Sequence, residues 1–305
     1  TPRGRSWSIS GRRVPLPLIV ILAMLVLVAI GFLAFSSRAV TNYTDPDGPK
    51  FEGNYASEQL PFDGQLKVVT WNIAFAKEIE QAIAELQEVE ELKDADVLIL
   101  QEMDETGTEQ IAQALGYNYV YYPASIHSRH GENFGNAVLS RWPIVDSAKI
   151  ILPHNNPSNN QIRIATRATI DVDGQEIPVY SVHTETFWLG PDRRKDQIAA
   201  VAQEAAMTLA QELDYAIIGG DFNTLTPDSM DALTSRLEEV GLNWVSQGVG
   251  DTVDKAGVGV SLDHIFASNM TPLSTGVIAE TEASDHYPVW VILALDPLPE
   301  DVEPN

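Results

Sequence analysis

Short apolar runs alternate with amphipathic stretches over residues 65–295, and this alternation predicts a single α/β domain. Apolar residues at three- and four-residue spacings predict helices at 77–93, 106–115, 191–213 and 227–240. Continuous or alternating apolar runs predict strands at 66–71, 97–100, 117–122, 134–141, 162–172, 176–183, 215–218, 260–267 and 287–295. Asp173-Gly174 predicts a two-residue hairpin turn between two of these strands.

The amino-terminal part of the chain has a different pattern. Leu18–Phe35 is an unbroken run of uncharged residues that just reaches the length of a transmembrane helix. Four arginines precede it and one follows, which favours a cytoplasmic amino terminus. We therefore expect a cytoplasmic basic tail at 1–13 and a transmembrane signal-anchor at 14–35. The protein would then be a single-pass membrane protein that contacts the membrane through this helix, with its main domain extracytoplasmic. The alternative is a cleaved signal peptide and a secreted protein.

Composition sets the remaining boundaries and limits the chemistry. Residues 36–64 are polar and predict a linker, whereas 296–305 are acidic and proline-rich and predict a disordered tail. The net charge of −24 opposes tight nonspecific binding to polyanions. With no cysteine in the chain, a metal would be held by oxygen or histidine ligands, which favours Mg²⁺, Mn²⁺ or Ca²⁺. No feature indicates a protein partner.

Polar residues follow or adjoin several of the apolar runs. In Gly220-Asp221-Phe222-Asn223, alternation along a strand end places Asp221 and Asn223 on one side and Phe222 towards the core. This stretch alone could be a turn with side-chain hydrogen bonds. Charged groups are rarely placed beside buried strands unless they are paired or bind metal. The other polar residues in such positions are Asn72, Glu102, His183, Asp263, Asp285 and His286.

This set of residue types suits hydrolysis of a phosphate ester. Carboxylates can hold a magnesium ion that offsets charge on the phosphate, and a histidine oriented by a carboxylate can activate water. A serine-histidine-aspartate triad is the rival chemistry. Ser284-Asp285-His286 contains the three residue types, but adjacent residues cannot form that relay, and no Gly-x-Ser-x-Gly elbow occurs.

The ordered motifs resemble those of the endonuclease/exonuclease/phosphatase superfamily, in particular its deoxyribonuclease-like members. The resemblance implies a four-layer α/β sandwich with two mixed β-sheets face to face and helices outside, here preceded by the transmembrane helix. It also implies metal-dependent cleavage of phosphodiesters or phosphomonoesters. The motifs are Trp71-Asn72, Gln101-Glu102, 135–141, His183-Thr184, 220–223, 262–266 and 284–286.

The resemblance also assigns a metal set. Glu102 matches the principal metal ligand, and Asn72 lies beside it in the metal or phosphate shell. Asp285 matches a further acidic position near the metal. The implied cofactor is Mg²⁺, with Mn²⁺ or Ca²⁺ as alternatives.

A catalytic set follows from the same motifs. Asp221 and Asn223 match the pair that positions the nucleophile and the phosphate. His286, held by Asp263, matches the catalytic histidine, and His183 matches a second histidine near the scissile phosphate.

The substrate stays open between nucleic acid and a phospholipid headgroup. Loops 123–133 and 153–161 are the expected substrate rims. Arg193, Arg194 and Lys195 are either phosphate contacts or a solvated helix start. The alternative to an enzyme is a catalytically silent, membrane-tethered binding domain of the same fold.

Overall fold

The computed structural model describes residues 16–36, 40–57, 61–127, 130–186, 189–211, 213–255 and 257–297 of the 305-residue chain. Two compact units divide it, Thr1–Ala39 and Val40–Asn305.

The first unit contains helix α1 (Leu16–Ser36). A helix that crosses a bilayer needs about 20 consecutive apolar residues. Across the described ranges, no helix is long and apolar enough to cross a membrane. The expected transmembrane segment at 14–35 and the single-pass membrane localisation are therefore contradicted. The expected basic tail at 1–13 lies outside the described residues.

The described residues of the second unit contain sixteen strands, four α-helices and one short 3-10 helix, Ala74–Ala76. The strands are β1 (Thr41–Asn42), β2 (Phe51–Gly53), β3 (Gln65–Asn72), β4 (Val97–Met103), β5 (Asn118–Ile126), β6 (Asn133–Ser140), β7 (Ile144–Ile151), β8 (Ile164–Val172), β9 (Gln175–His183), β10 (Ala216–Asp221), β11 (Asn243–Trp244), β12 (Val253–Lys255), β13 (Val258–Val260), β14 (Asp263–Ser268), β15 (Met270–Val277) and β16 (Val289–Leu295). The helices are α2 (Ile79–Glu88), α3 (Glu105–Leu115), α4 (Pro191–Leu209) and α5 (Pro227–Glu238).

Two mixed sheets form the centre of this unit. The first has the order β1-β5-β6-β4-β3-β16-β15, with β2 also paired to β5, and the second has the order β11-β14-β10-β9-β8-β7. Within the described residues, each sheet has one parallel pair, β3 with β4 and β9 with β10. Strands β12 and β13 form a separate small ribbon. The prediction of an α/β fold with two mixed sheets is confirmed.

Three apolar clusters hold these layers together. One combines side chains of β3, β4 and β16 with side chains of β8, β9 and β10, so the two sheets pack face to face. The outer face of the first sheet packs against α2 and α3, and the outer face of the second packs against α4 and α5. Apolar residues on both faces explain why the central strands are continuous apolar runs.

Some helices and strands have the predicted boundaries, and others differ for local reasons. Helix α3 occurs as predicted because Asp104 accepts a hydrogen bond from the Gly107 backbone at its start and Gly116 ends it with a φ of 71°. Helix α2 is shorter than the predicted 77–93 because Val89 is extended. Strands β7 and β15 were not predicted, and their largely exposed or half-buried residues give little apolar signal.

The predicted linker is partly structured. Strands β1 and β2, within 36–64, pair antiparallel with β5. The Phe51 ring lies 5.9 Å from the Tyr121 ring, so this segment packs on the first sheet rather than only joining two regions. Most of the predicted tail at 296–305 lies outside the described residues.

Gly174 and Gly220 are constrained for different reasons, a turn conformation and a close backbone contact. The predicted hairpin turn joins β8 and β9, with positive φ at both Asp173 (56°) and Gly174 (87°). Gly220, in the middle of the second sheet, has a φ of 150°, and a Cβ there would lie 1.9 Å from the Val182 carbonyl oxygen. The close backbone approach at Gly220 brings β9 and β10 together where both strands end.

We expect Gly220→Ala to lower the free energy of unfolding by roughly 2–4 kcal/mol because the methyl group overlaps backbone that cannot move freely. Gly174→Ala is the control, since no atom lies within 4 Å of its Cβ position and only the positive φ is unfavourable; its cost should be about 1 kcal/mol. Urea unfolding of both variants measures the difference. Equal losses would contradict the close approach.

Candidate functional site

Polar side chains lie next to one another at three strand ends of the second sheet. Asp221, the last residue of β10, pairs with His183, the last residue of the parallel strand β9. It also pairs with Asp263, the first residue of the antiparallel strand β14. All three are buried, with 0–2% of their surface exposed.

The first sheet contributes Asn72 and Glu102 to the same place. Asn72 ends β3, and its Nδ2 donates to Asp221 Oδ2 across the two sheets at 3.1 Å. Glu102 lies in β4 at an irregularity between Leu100 and Met103 and has a φ of 58°. Such a bulge redirects a side chain. Glu102 Oε1 accordingly lies 3.9 Å from His183 Nε2.

His286 enters from the loop before β16 and is held on one side of its ring. Its Nδ1 lies 2.9 Å from Asp263 Oδ2, which also accepts from Thr252 Oγ1 at 2.6 Å. Its Nε2 lies 3.8 Å from Asp221 Oδ2. One ring nitrogen is therefore fixed by a carboxylate, and the other faces the remaining acids.

The backbone around His286 is fixed to the first sheet. The Trp71 indole donates to the His286 carbonyl at 2.9 Å, and Ser284 Oγ donates to the Asn72 carbonyl at 2.6 Å. Ser284 Oγ also accepts from the His286 backbone N–H at 3.1 Å. Ser284 thus positions the loop, and the relay that a serine triad requires is absent from the geometry of these residues.

Asn223 is placed by the loop that follows β10. It has a φ of 50°, its N–H donates to Asp221 Oδ1 at 2.9 Å, and its Nδ2 donates to the Thr184 carbonyl at 3.1 Å. Phe222 is buried among the side chains of α4 and α5, as the alternation predicted.

Metal-binding capacity is concentrated in the buried acids. Within the described chain, ligand atoms of Asp221, Asp263 and His286 lie within 4.8 Å of one another. Of the residues predicted to hold metal, Glu102 and Asn72 border this group, whereas Asp285 is exposed beside it. Asp285 still raises the pKa of Glu102 electrostatically, so it contributes charge to the site.

Burial of several like charges controls the protonation of the site. Burial raises the pKa of Asp221 to about 7, with Asp263 and Glu102 adding to the effect and His286 opposing it. Burial also raises the pKa of Glu102. Burial lowers the pKa of His286, but Asp263 and then Asp221 outweigh it and raise that pKa to about 10. The charged forms of these acids therefore need positive charge nearby, from a protonated His286 or from a cation.

His183 behaves differently from His286. Burial, Arg163 and His286 all lower its pKa well below 6.5, so its ring is neutral. Its Nε2 lies 3.5 Å from Asp221 Oδ2. The site therefore contains one neutral and one charged histidine.

Arg163 and Glu185 lie beside His183 and were not predicted from the sequence. Arg163 Nη1 lies 3.1 Å from both ring nitrogens of His183, and its Nε donates to the wholly buried Glu185 at 3.3 Å. Its guanidinium also lies 5.3 Å from the centre of the Phe134 ring. The local pattern gave no signal, because an arginine between Ile162 and Ile164 also fits the exposed face of a strand whose side chains alternate.

One predicted rim loop carries aromatic rings near the site. The rings of Phe75, His127 and His130 lie 4.7 Å from one another, and Phe134 links His127 to His183 at centroid distances of 5.4 and 5.9 Å. The rim at 123–133 is thus connected to the site, apart from residues 128–129, which the structure does not describe.

Comparison by sequence identifies relatives over most of the domain. A sequence profile of the Endonuclease/Exonuclease/phosphatase family matches residues 69–286, which contain every residue of the predicted catalytic and metal sets. A UPF0294 protein of Vibrio cholerae serotype O1 is 27% identical over 239 residues, which are 77% of this chain and 80% of that protein.

Comparison by structure gives the same fold. An endonuclease/exonuclease/phosphatase of Beutenbergia cavernae has a TM-score of 0.62 at 20% identity, covering 77% of this chain and 73% of that chain. A mannosyl-6-phosphatase of Bacteroides thetaiotaomicron has a TM-score of 0.58 at 20% identity, covering 75% of this chain and 99% of that chain. At these identities the likeness is one of fold alone.

We expect His286 to remain protonated at neutral pH in the metal-free protein. Because its folded pKa is raised from 6.5 to about 10, its contribution to stability is complete below pH 6.5 and is lost as the pH rises through 10. Imidazole ¹⁵N NMR measures this pKa directly. Mg²⁺ should lower the pKa, because a bound cation offsets the negative charge of the acids, which otherwise favours the protonated ring. A metal-free His286 that titrates near 6.5 would contradict the paired geometry.

Proposed function

The chain belongs to the endonuclease/exonuclease/phosphatase family, and from that premise we propose that it is a divalent-metal-dependent phosphoric-ester hydrolase. Members of this superfamily are hydrolases that act on phosphoester bonds. The observation that carries the proposal is the buried group of Asp221, Asp263 and His286, which Asn72 and Glu102 join from the opposite sheet.

The donor set fits a hard divalent cation. Buried carboxylates with raised pKa values are stabilised in their charged form by a cation, and carboxylate and amide oxygens are ligands that Mg²⁺ and Mn²⁺ accept. Glu102 is the principal ligand in this proposal, with Asn72 beside it and Asp285 as a further acid at the rim. When bound, the ion offsets negative charge on the phosphate oxygens.

The proposed general base is His286, positioned by Asp263. The carboxylate binds Nδ1, which orients the ring and leaves Nε2 facing Asp221 and the space for substrate. His286 must lose its proton to act as a base, and positive charge at the acids favours that loss by lowering its pKa. Asp221 and Asn223 then position the attacking water and the phosphate.

Arg163 is the proposed source of fixed positive charge near the phosphate. Glu185 holds its guanidinium on one side, and His183 lies against the other. Preorganised charge of this kind stabilises the charge that develops in a phosphoryl-transfer transition state. The neutral His183 can donate a hydrogen bond to a phosphate oxygen without adding charge.

The substrate class is a phosphate ester, either a nucleic acid or a phospholipid headgroup. The net charge of −24 disfavours tight nonspecific binding to nucleic acid, but a bound cation and Arg163 offset the field locally. The mannosyl-6-phosphatase among the structural relatives adds phosphomonoesters to the substrates worth testing.

We expect the full chain to hydrolyse bis(4-nitrophenyl) phosphate with Mg²⁺ and to lose this activity in excess EDTA. His286→Asn should lower kcat by roughly 10²–10⁴-fold because the general base is lost. Asp231→Asn is the matched control, since Asp231 is exposed on α5 and its neutralisation should leave kcat within about twofold. Release of 4-nitrophenolate measures the effect of EDTA and the activity of both variants.

Full activity in EDTA, or in His286→Asn, would reject this mechanism. Absence of turnover across DNA, RNA, sphingomyelin and phosphomonoesters, with the protein folded and the ion bound, would instead favour a catalytically silent binding domain.

A further inference from the structure

A cavity lies between the amino-terminal turns of two helices. It measures about 460 Å³, and the first turns of α4 and α5 both line it. We call it the Arg194 cavity; its lining consists of Pro191, Asp192, Arg194, Lys195, Ile198, Phe222, Thr224, Thr226, Asp228 and Ser229. Phe222 and Thr224 flank Asn223 in the chain, so the segment that carries Asp221 and Asn223 also forms part of the cavity wall.

The most unusual group in this wall is the guanidinium of Arg194. Arg194 is 8% exposed, and its buried Nη1 has no hydrogen-bond partner among the described residues. Burial lowers the pKa of this guanidinium, but an arginine in a protein remains charged. A buried charged donor without an acceptor is unfavourable by itself and needs a partner that the chain does not provide.

The start of α4 lacks a side-chain cap. This helix has 19 residues, and its N-cap, Gly190, supplies no side-chain acceptor. The first N–H groups of a helix and its dipole both favour an anion there. Helix α5 differs, because Thr226 and Ser229 cap each other at its start.

The charges around the cavity favour a small oxyanion at Arg194. Asp192 and Asp228 line the same cavity, but both are exposed and, in the described part of the chain, neither forms an ion pair with Arg194. Solvent screens exposed carboxylates more than it screens a buried guanidinium. Lys195 adds a second, exposed cation.

We propose that the Arg194 cavity binds a phosphate group of the substrate other than the phosphate that is cleaved. The inference rests on the proposed phosphoesterase function and narrows it to substrates with at least two phosphates. Arg194 contacts the second phosphate, and the uncapped start of α4 donates to it. The shared chemistry is a phosphate oxyanion, so a free phosphate ion would bind in the same place.

Binding of inorganic phosphate to the metal-free full chain tests the cavity without turnover. We expect phosphate to raise the Tm of the wild type and of Arg236→Gln, the control that removes an exposed charge from α5 at a position outside the cavity lining. Arg194→Gln should weaken phosphate binding at least about tenfold, because a charge-assisted contact is lost. Without phosphate it should not lower Tm, because the unpaired buried charge is removed.

Phosphate-dependent stabilisation that is equal in the wild type and in Arg194→Gln would overturn the proposal. Arg194→Lys, which retains a cation, should keep part of the phosphate response and so separates loss of the site from loss of folding. A structural role for Arg194 predicts the opposite result, a lower Tm in both Arg194 variants with unchanged phosphate affinity.

Paired substrates then distinguish a substrate phosphate from a free ion. The pair is thymidine 5′-(4-nitrophenyl phosphate) with and without a 3′-phosphate. The 3′-phosphate should lower KM in the wild type and Arg236→Gln but not in Arg194→Gln. Equal KM ratios in all three would overturn the assignment to substrate. If the wild type hydrolyses neither compound, the proposed function fails for nucleotides, while the phosphate-binding result still stands or falls by itself.

Discussion

Mutual repulsion of buried carboxylates is the constraint on which this structure depends. Asp221, Asp263 and Glu102 converge where the two sheets meet, and little water reaches them. Burial and their shared field raise the pKa of Asp221 to about 7, so the charged form needs compensation. His286 provides it in the metal-free protein, and a divalent cation would provide it in the enzyme that we propose. The same demand for positive charge connects folding, ion binding and catalysis.

The fold satisfies this constraint with the one parallel strand pair that each sheet contains among the described residues. The carboxyl ends of parallel strands lie at the same edge of a sheet, which is where α/β proteins place ligands. In the first sheet this edge carries Asn72 and, through the bulge in β4, Glu102. In the second sheet it carries His183 and Asp221. Face-to-face packing of the sheets then brings the two edges together.

Local patterns predicted where several residues lie, whereas contacts between residues far apart in the chain could not be predicted. The polar ends of apolar runs placed Asp221 and His183 at strand ends, where the structure has them, and their catalytic roles stay predictions. Arg163 was missed because its importance lies in Glu185 and the His183 ring, which are about 20 residues away and meet it only across β8 and β9. Edge strands such as β7 gave no clear pattern because one edge and much of their surface are exposed. The predicted membrane span rested on an apolar run of threshold length and on the arginines around it, and no helix in the described residues is long and apolar enough to cross a membrane.

We propose that the acids where the sheets meet hold a divalent ion for phosphoester hydrolysis. The most direct test is Mn²⁺ binding to the full chain, measured by EPR, with hydrolysis followed in the same samples. Glu102→Gln should lose both high-affinity Mn²⁺ binding and turnover, whereas Glu238→Gln, which removes an exposed charge on α5, should retain both. Wild-type Mn²⁺ affinity and turnover in Glu102→Gln would contradict the account.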